Sequence, residues 1–107
     1  MAELLIEVTF KHGGYLPSRL MGDAVTEVLP GFGGRVAYRP VDIGSPAGRD
    51  RFLHLSVGLY GEAGVFRKLQ LAPIPSLFMD GRLVFDVIPP RDELEAAIES
   101  RLKAEGD

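Results

Sequence analysis

The sequence predicts an α/β fold: a four-stranded mixed sheet with helices on both faces, in the order β-α-β-α-β-β-α. Three observations carry this reading. Short runs rich in β-branched and aromatic residues alternate with longer segments in which apolar residues recur at spacings of three and four. A helix-period segment separates the first two strand-like runs, which makes them a parallel pair with a crossover helix. Only Asp80-Gly81 separates the last two, which makes them an antiparallel hairpin. With 107 residues, 46% of them hydrophobic and 25% charged, the chain suits one globular domain over residues 1–107 with a core of its own.

"LLIEVTF" (4–10) is almost wholly apolar and reads as a buried strand. After Gly13 and Gly14, a helical stripe is predicted from Leu16, Leu20, Met21, Ala24, Val25, Val28 and Leu29, with Pro17 in the first turn, where a missing N–H costs nothing. "PGFGG" (30–34) stops that helix. "RVAYRPVDI" (35–43) is the second strand, and Pro40 within it points to an edge position or a bulge. Ser45 and Pro46 suit the N-cap and first residue of a second helix, whose inner face is predicted to hold Phe52, Leu55 and Leu59. Across 58–73, glycines at 58, 61 and 64 predict a helix end and then an irregular or weakly helical link. "SLFM" and "RLVFDV" flank the hairpin turn. Pro89-Pro90 opens a last helix with Asp92 and Glu93 in its first turn, Leu94, Ala97, Ile98 and Leu102 along its apolar stripe, and a frayed tail, "KAEGD".

Several function classes are excluded or disfavoured. The net charge is −3 and the basic residues are scattered, so no nucleic-acid surface is expected. No cysteine is present, which removes disulfides, thiol–disulfide exchange and cysteine-ligated zinc. His12 and His54 lie far apart with no acidic residue at ligand spacing, so no metal and no cofactor is expected. His12 reads as a loop histidine and His54 as a helix-face one. "MAELLIEVTF" has neither a basic start nor a cleavage pattern, and no run approaches a membrane span, so a soluble cytoplasmic protein is expected. "GFGGR" follows a helix and precedes a strand, the reverse of a phosphate loop.

The order and punctuation of these elements resemble the thioredoxin fold over most of the chain. "FKHGGYLPSRLM" (10–21) is similar to the strand-to-helix junction that carries Cys-x-Pro-Cys in that family. On this resemblance Tyr15 and Ser18 stand where the two cysteines would be, and Pro17 matches the proline between them. "APIPSLFMDGRLVF" is similar to the family's Ile/Val-Pro-Thr strand and hairpin, which makes Pro75 the counterpart of the cis-proline, with Ile74 before it. "GGRVAYRPVDI" resembles the second strand ending in Val-Asp. Both cysteines are missing, so the redox activity transfers to no residue. The stretch from Asp42 to Pro75 is longer than in minimal thioredoxins, leaving room for an extra element over the site.

Two readings of the junction follow, beside the plain one in which Tyr15 is a surface aromatic and Ser18 a helix-start cap. In the first, Tyr15, Leu16, Pro17, Ser18, Ile74 and Pro75 form a binding face for an unidentified protein or extended peptide, and the chain is a non-redox adaptor with no catalytic residue. In the alternative, the resemblance extends to glutathione transferases, which have this fold in their first domain: Tyr15 or Ser18 would activate the thiol of glutathione or another small molecule, with Asp86 near the substrate amine. The oligomeric state stays open.

Overall fold

The computed structural model describes residues 2–106. Its elements are β1 (Leu4–Phe10), α1 (Leu16–Val28), a 3-10 turn (Leu29–Phe32), β2 (Val36–Asp42), α2 (Pro46–Lys68), β3 (Leu77–Met79), β4 (Arg82–Phe85) and α3 (Arg91–Gly106). The sheet order is β2-β1-β3-β4. β1 and β2 are parallel, with Leu4 opposite Val36 and Phe10 opposite Asp42. β3 runs antiparallel to both β1 and β4. This is the thioredoxin-like topology the sequence predicts, a mixed sheet with helices on both faces.

Two apolar clusters sandwich the sheet. Leu4, Ile6, Val8 and Phe10 meet Met21, Val25 and Val28 of α1 and Leu94, Ile98 and Leu102 of α3. On the other face Val41 and Phe78 meet Phe52 and Leu55 of α2. Leu4, Ile6, Val8 and Phe10 occupy alternate positions of β1 and share the first cluster, while Glu7 between them meets Arg51 of α2 on the other face. β2 is an edge strand, and Pro40 is tolerated there because an edge needs fewer ladder donors.

The buried arc of α1 is displaced from the predicted stripe. Ser18, Met21, Gly22, Val25 and Val28 are buried, whereas Leu16 and Leu20 are 60% and 47% exposed. Leu20 lies one residue, roughly 100° of helix, away from Met21. Small residues at 18 and 22 let the helix approach the sheet on the other side of Met21.

The second helix begins as predicted: Ser45 Oγ accepts the Gly48 N–H at 3.0 Å, and Pro46 follows the cap. Its later course corrects the expectation of an irregular or weakly helical link only up to Lys68, since 69–73 carry no regular element. The helix resumes after a break at Gly61, whose φ of 74° an L-residue rarely adopts, and runs to Lys68. Leu59, placed on the inner face from sequence, is 37% exposed and does not continue the stripe that Phe52 and Leu55 begin.

The hairpin turn has positive φ at both Asp80 (49°) and Gly81 (81°), the two-residue geometry whose twist matches paired strands. β4 stops at Phe85, short of the predicted Val87. α3 starts one residue after Pro90, where the Leu94 N–H reaches the Pro90 carbonyl at 3.0 Å. The tail expected to fray is helical through Gly106, and Asp107 lies outside the described residues. Among the described residues, no helix is long and apolar enough to cross a membrane.

Candidate functional site

The junction after β1 is built around Tyr15. Gly13 and Gly14 turn the chain, with the Gly14 N–H donating to His12 Nδ1 at 3.2 Å. Tyr15 is the N-cap of α1 in an extended conformation, its N–H donating to the His12 carbonyl and its carbonyl accepting from the Arg19 N–H, both at 3.1 Å. The ring, half-buried, meets the His12 imidazole edge-on at 5.8 Å between centroids. Lys11 Nζ lies 5.5 Å from the Tyr15 ring centroid, a cation–π arrangement. Leu16 is exposed beside it and Pro17 is half-buried.

Ser18 differs from its neighbours. It has no exposed surface, and its Oγ donates to the Thr9 carbonyl at 2.8 Å. Its hydroxyl proton is committed to β1, so Ser18 positions the helix start and presents no group to a ligand.

The Ile74–Pro75 peptide bond is cis. Ile74 packs its side chain against the cluster of Val41, Phe52, Leu55 and Phe78. Among the described residues, neither the Ile74 N–H nor its carbonyl has a hydrogen-bond partner. Such backbone groups beside a sheet are free to pair with an added chain.

Thr9 joins the two halves, and sequence reasoning missed it. Its N–H donates to the Ser76 carbonyl at 3.0 Å, and its Oγ1 accepts the Ser76 N–H at 2.8 Å. The same Oγ1 lies 3.1 Å from the Pro73 carbonyl and 2.8 Å from Ser76 Oγ. Its carbonyl meanwhile receives Ser18 Oγ. A buried threonine in an apolar strand and a serine after a proline were the available signals. Thr9→Val, isosteric but without the hydroxyl, leaves the buried Ser76 N–H without its acceptor. It should cost about 1–3 kcal/mol in urea denaturation, with Thr9→Ser closer to wild type.

The other flank of α1 closes on Tyr38. A Cβ at Gly22 would lie 2.6 Å from Tyr38 Oη, so a larger residue there would make the phenol shift. Burial, and then the charge of Asp23, push the Tyr38 phenol up to about 12. The neutral phenol is the form the fold favours. Its contribution is present below the ordinary tyrosine range and is lost as pH rises through about 12. Tyr38→Phe should remove the phenolate absorbance that develops near pH 12 in alkaline titration.

A second polar cluster lies on the α2 face of the sheet. Glu7 is fully buried. Its carboxylate accepts from Arg51 Nε and Nη2 at 2.8 and 2.7 Å and from Arg39 Nη2 at 2.9 Å. Burial pushes its carboxyl up, but the hydrogen bonds from Arg51 and Arg39 outweigh that and hold it below the ordinary carboxylate range. Arg39 stands directly opposite Glu7 in the β1–β2 register.

Asp86 lies exposed beyond the end of β4 rather than on the strand. No group of three or more metal-ligating side chains occurs among the described residues. The absence of cysteine excludes thiol–disulfide oxidoreductase chemistry. No protein-family model and no curated protein matches the chain.

Proposed function

We propose that the chain is a non-redox binding module that takes an extended segment of a partner protein across the start of α1 and the Ile74–Pro75 turn. The observation that carries this is the pair of unpartnered Ile74 backbone groups in a turn that Thr9 ties to the α1 start. Main-chain pairing supplies affinity in such recognition, and an aromatic anchor supplies selectivity. Tyr15 is that anchor: its ring is held against His12 and Lys11 before a ligand arrives, which lowers the ordering cost of binding. Leu16 offers apolar surface next to it.

The test is selection of binders from a random-peptide display library, repeated on Tyr15→Ala. Enriched peptides should bind wild type and be lost by Tyr15→Ala, while its unfolding midpoint reports a change below about 1 kcal/mol. Peptides that bind both proteins equally would refute this face.

The small-thiol reading retains one residue. With Ser18 buried and Asp86 off the strand, only Tyr15 remains to meet a thiolate, and the Lys11 ammonium beside its ring favours an anion there. An amide NMR titration with reduced glutathione tests it. Saturable shifts confined to Tyr15, Leu16, Ile74 and Ser76 would support it, and a flat response at millimolar ligand would remove it.

A further inference from the structure

We propose that the cavity between β2 and the first turns of α2 is an oxyanion site in which Arg39 and Arg51 hold a phosphate group. The cavity has a volume of about 310 Å3 and is lined by Arg39 and Arg51 together with Asp42, Ser45, Ala47 and Gly48. It shares no residue with the Tyr15–Ile74 face, and the two proposals stand independently.

The Glu7 carboxylate, with no solvent exposure, is costly to bury, and apolar side chains of similar volume would hold the sheet and α2 together at least as well. Its geometry suits a different purpose, the orientation of two arginines. Glu7 takes two N–H groups from Arg51 and one from Arg39. Each guanidinium carries five, so both keep donors after Glu7 is satisfied. The side chain of Arg39 is 55% exposed and that of Arg51 is 30% exposed, while Glu7 beneath them is closed to solvent. The triad has a net charge of about +1; Arg51 is held by two hydrogen bonds and Arg39 by one, and the planar guanidinium fork is the donor geometry that matches phosphate oxygens. Pre-fixed side chains lose little entropy when the anion binds.

The α2 start is not what makes the site. Its Gly48 N–H is taken by Ser45 Oγ and its Arg49 N–H by the Ser45 carbonyl, and Pro46 has none. The guanidinium groups carry the recognition. Asp42 opposes it: it is among the lining residues, and its carboxylate, whose Oδ1 accepts the Gly44 N–H at 2.8 Å, places a negative charge at this end of β2. That opposition gives the proposal a second, independent sign to check.

The probe is inorganic phosphate, titrated into the full chain at constant ionic strength against chloride, followed by Tm and by the amide shifts of Ala47 and Gly48. Phosphate should raise Tm saturably where chloride does not. Arg39→Gln, in which Arg51 still pairs with Glu7, should weaken phosphate binding about tenfold or more. Arg39→Lys keeps a charge near Glu7 should the glutamine variant fail to fold, and it should bind less tightly than wild type because the fork is lost. Asp42→Asn, whose amide oxygen can still accept from Gly44, should bind phosphate more tightly. Phosphoserine and adenosine monophosphate distinguish the source: tighter binding than inorganic phosphate marks an organic phosphate, weaker binding marks the free anion, and either supports the site. Equal stabilisation by chloride, or an affinity unchanged in both Arg39 variants, would overturn it.

Discussion

Gly48→Ala should lose about 3 kcal/mol or more of stability, while Gly58→Ala, ten residues further along the same helix, should gain up to about 1 kcal/mol. A Cβ at Gly48 would stand 1.9 Å from the Asp42 backbone oxygen and 2.6 Å from its carbonyl carbon. Neither atom is the end of a side chain that can swing away. The Asp42 carbonyl is also fixed by what it receives, the Ser45 N–H at 3.1 Å and Ser45 Oγ at 3.0 Å. To admit a methyl group, either the first turn of α2 must lift from the end of β2 or those caps must break. Both disturb the seat of Phe52 and Leu55 against Val41. At Gly58 nothing lies within 4 Å of the added carbon, so the change there acts only through helix propensity and the unfolded chain. Urea denaturation of the two variants should give midpoints displaced in opposite directions. A Gly48→Ala protein within about 0.5 kcal/mol of wild type would mean that α2 is not pinned to β2 at this point.

That pair of glycines shows where the sequence stops being legible. Glycine at 48, 58, 61 and 64 looks alike in one dimension, but the four do different things. Gly48 makes room for a carbonyl, Gly58 does nothing required, Gly61 breaks the helix, and Gly64 is packed against Tyr60 and Gln70. The hairpin, by contrast, was readable because Asp80-Gly81 encodes its own backbone geometry locally. The parallel β1–β2 pair was readable because a crossover helix leaves few alternatives. The α1 face lies one step from the stripe the sequence displays, since leucines at 16 and 20 extend the apparent stripe while Ser18 and Gly22 set the approach to the sheet. Thr9 and Glu7 were unreadable as partners because their bonds span 64 to 67 and 32 to 44 residues. One clue existed for Glu7: once parallel pairing is accepted, a register setting Leu4 against Val36 puts Glu7 against Arg39.

Arg51→Met should reverse the acid response of the protein as well as destabilise it. In the wild type, the hydrogen bonds from both arginines hold the Glu7 carboxyl below its ordinary range against the opposing effect of burial. A carboxylate whose folded pKa is depressed contributes stability that is fully present above its unfolded value of about 4.3 and is lost as pH falls through the folded value. Wild-type stability should therefore hold from neutral pH down to about 5 and fall below that. Removing Arg51 deletes two of the three hydrogen bonds and leaves the buried charge with Arg39, whose side chain is more than half exposed. Leaving a buried charge short of its partner typically costs about 3–5 kcal/mol, and the remaining attraction is screened by water around Arg39. Burial then dominates, and the Glu7 carboxyl should move above its ordinary range. The sign of the linkage changes with it: the neutral acid becomes the favoured folded form, so Arg51→Met should gain stability as pH falls from 7 to about 5, over a range in which wild type stays level. Glu7→Gln in the Arg51→Met background removes the charge that causes the problem, and it should recover part of the loss while flattening the pH dependence. Denaturation midpoints at pH 7 and 5 for the single and double variants test this. An Arg51→Met profile parallel to wild type would show that Arg39 alone suffices for Glu7, and that the second arginine is held in place for the cavity it faces rather than for the carboxylate beneath it.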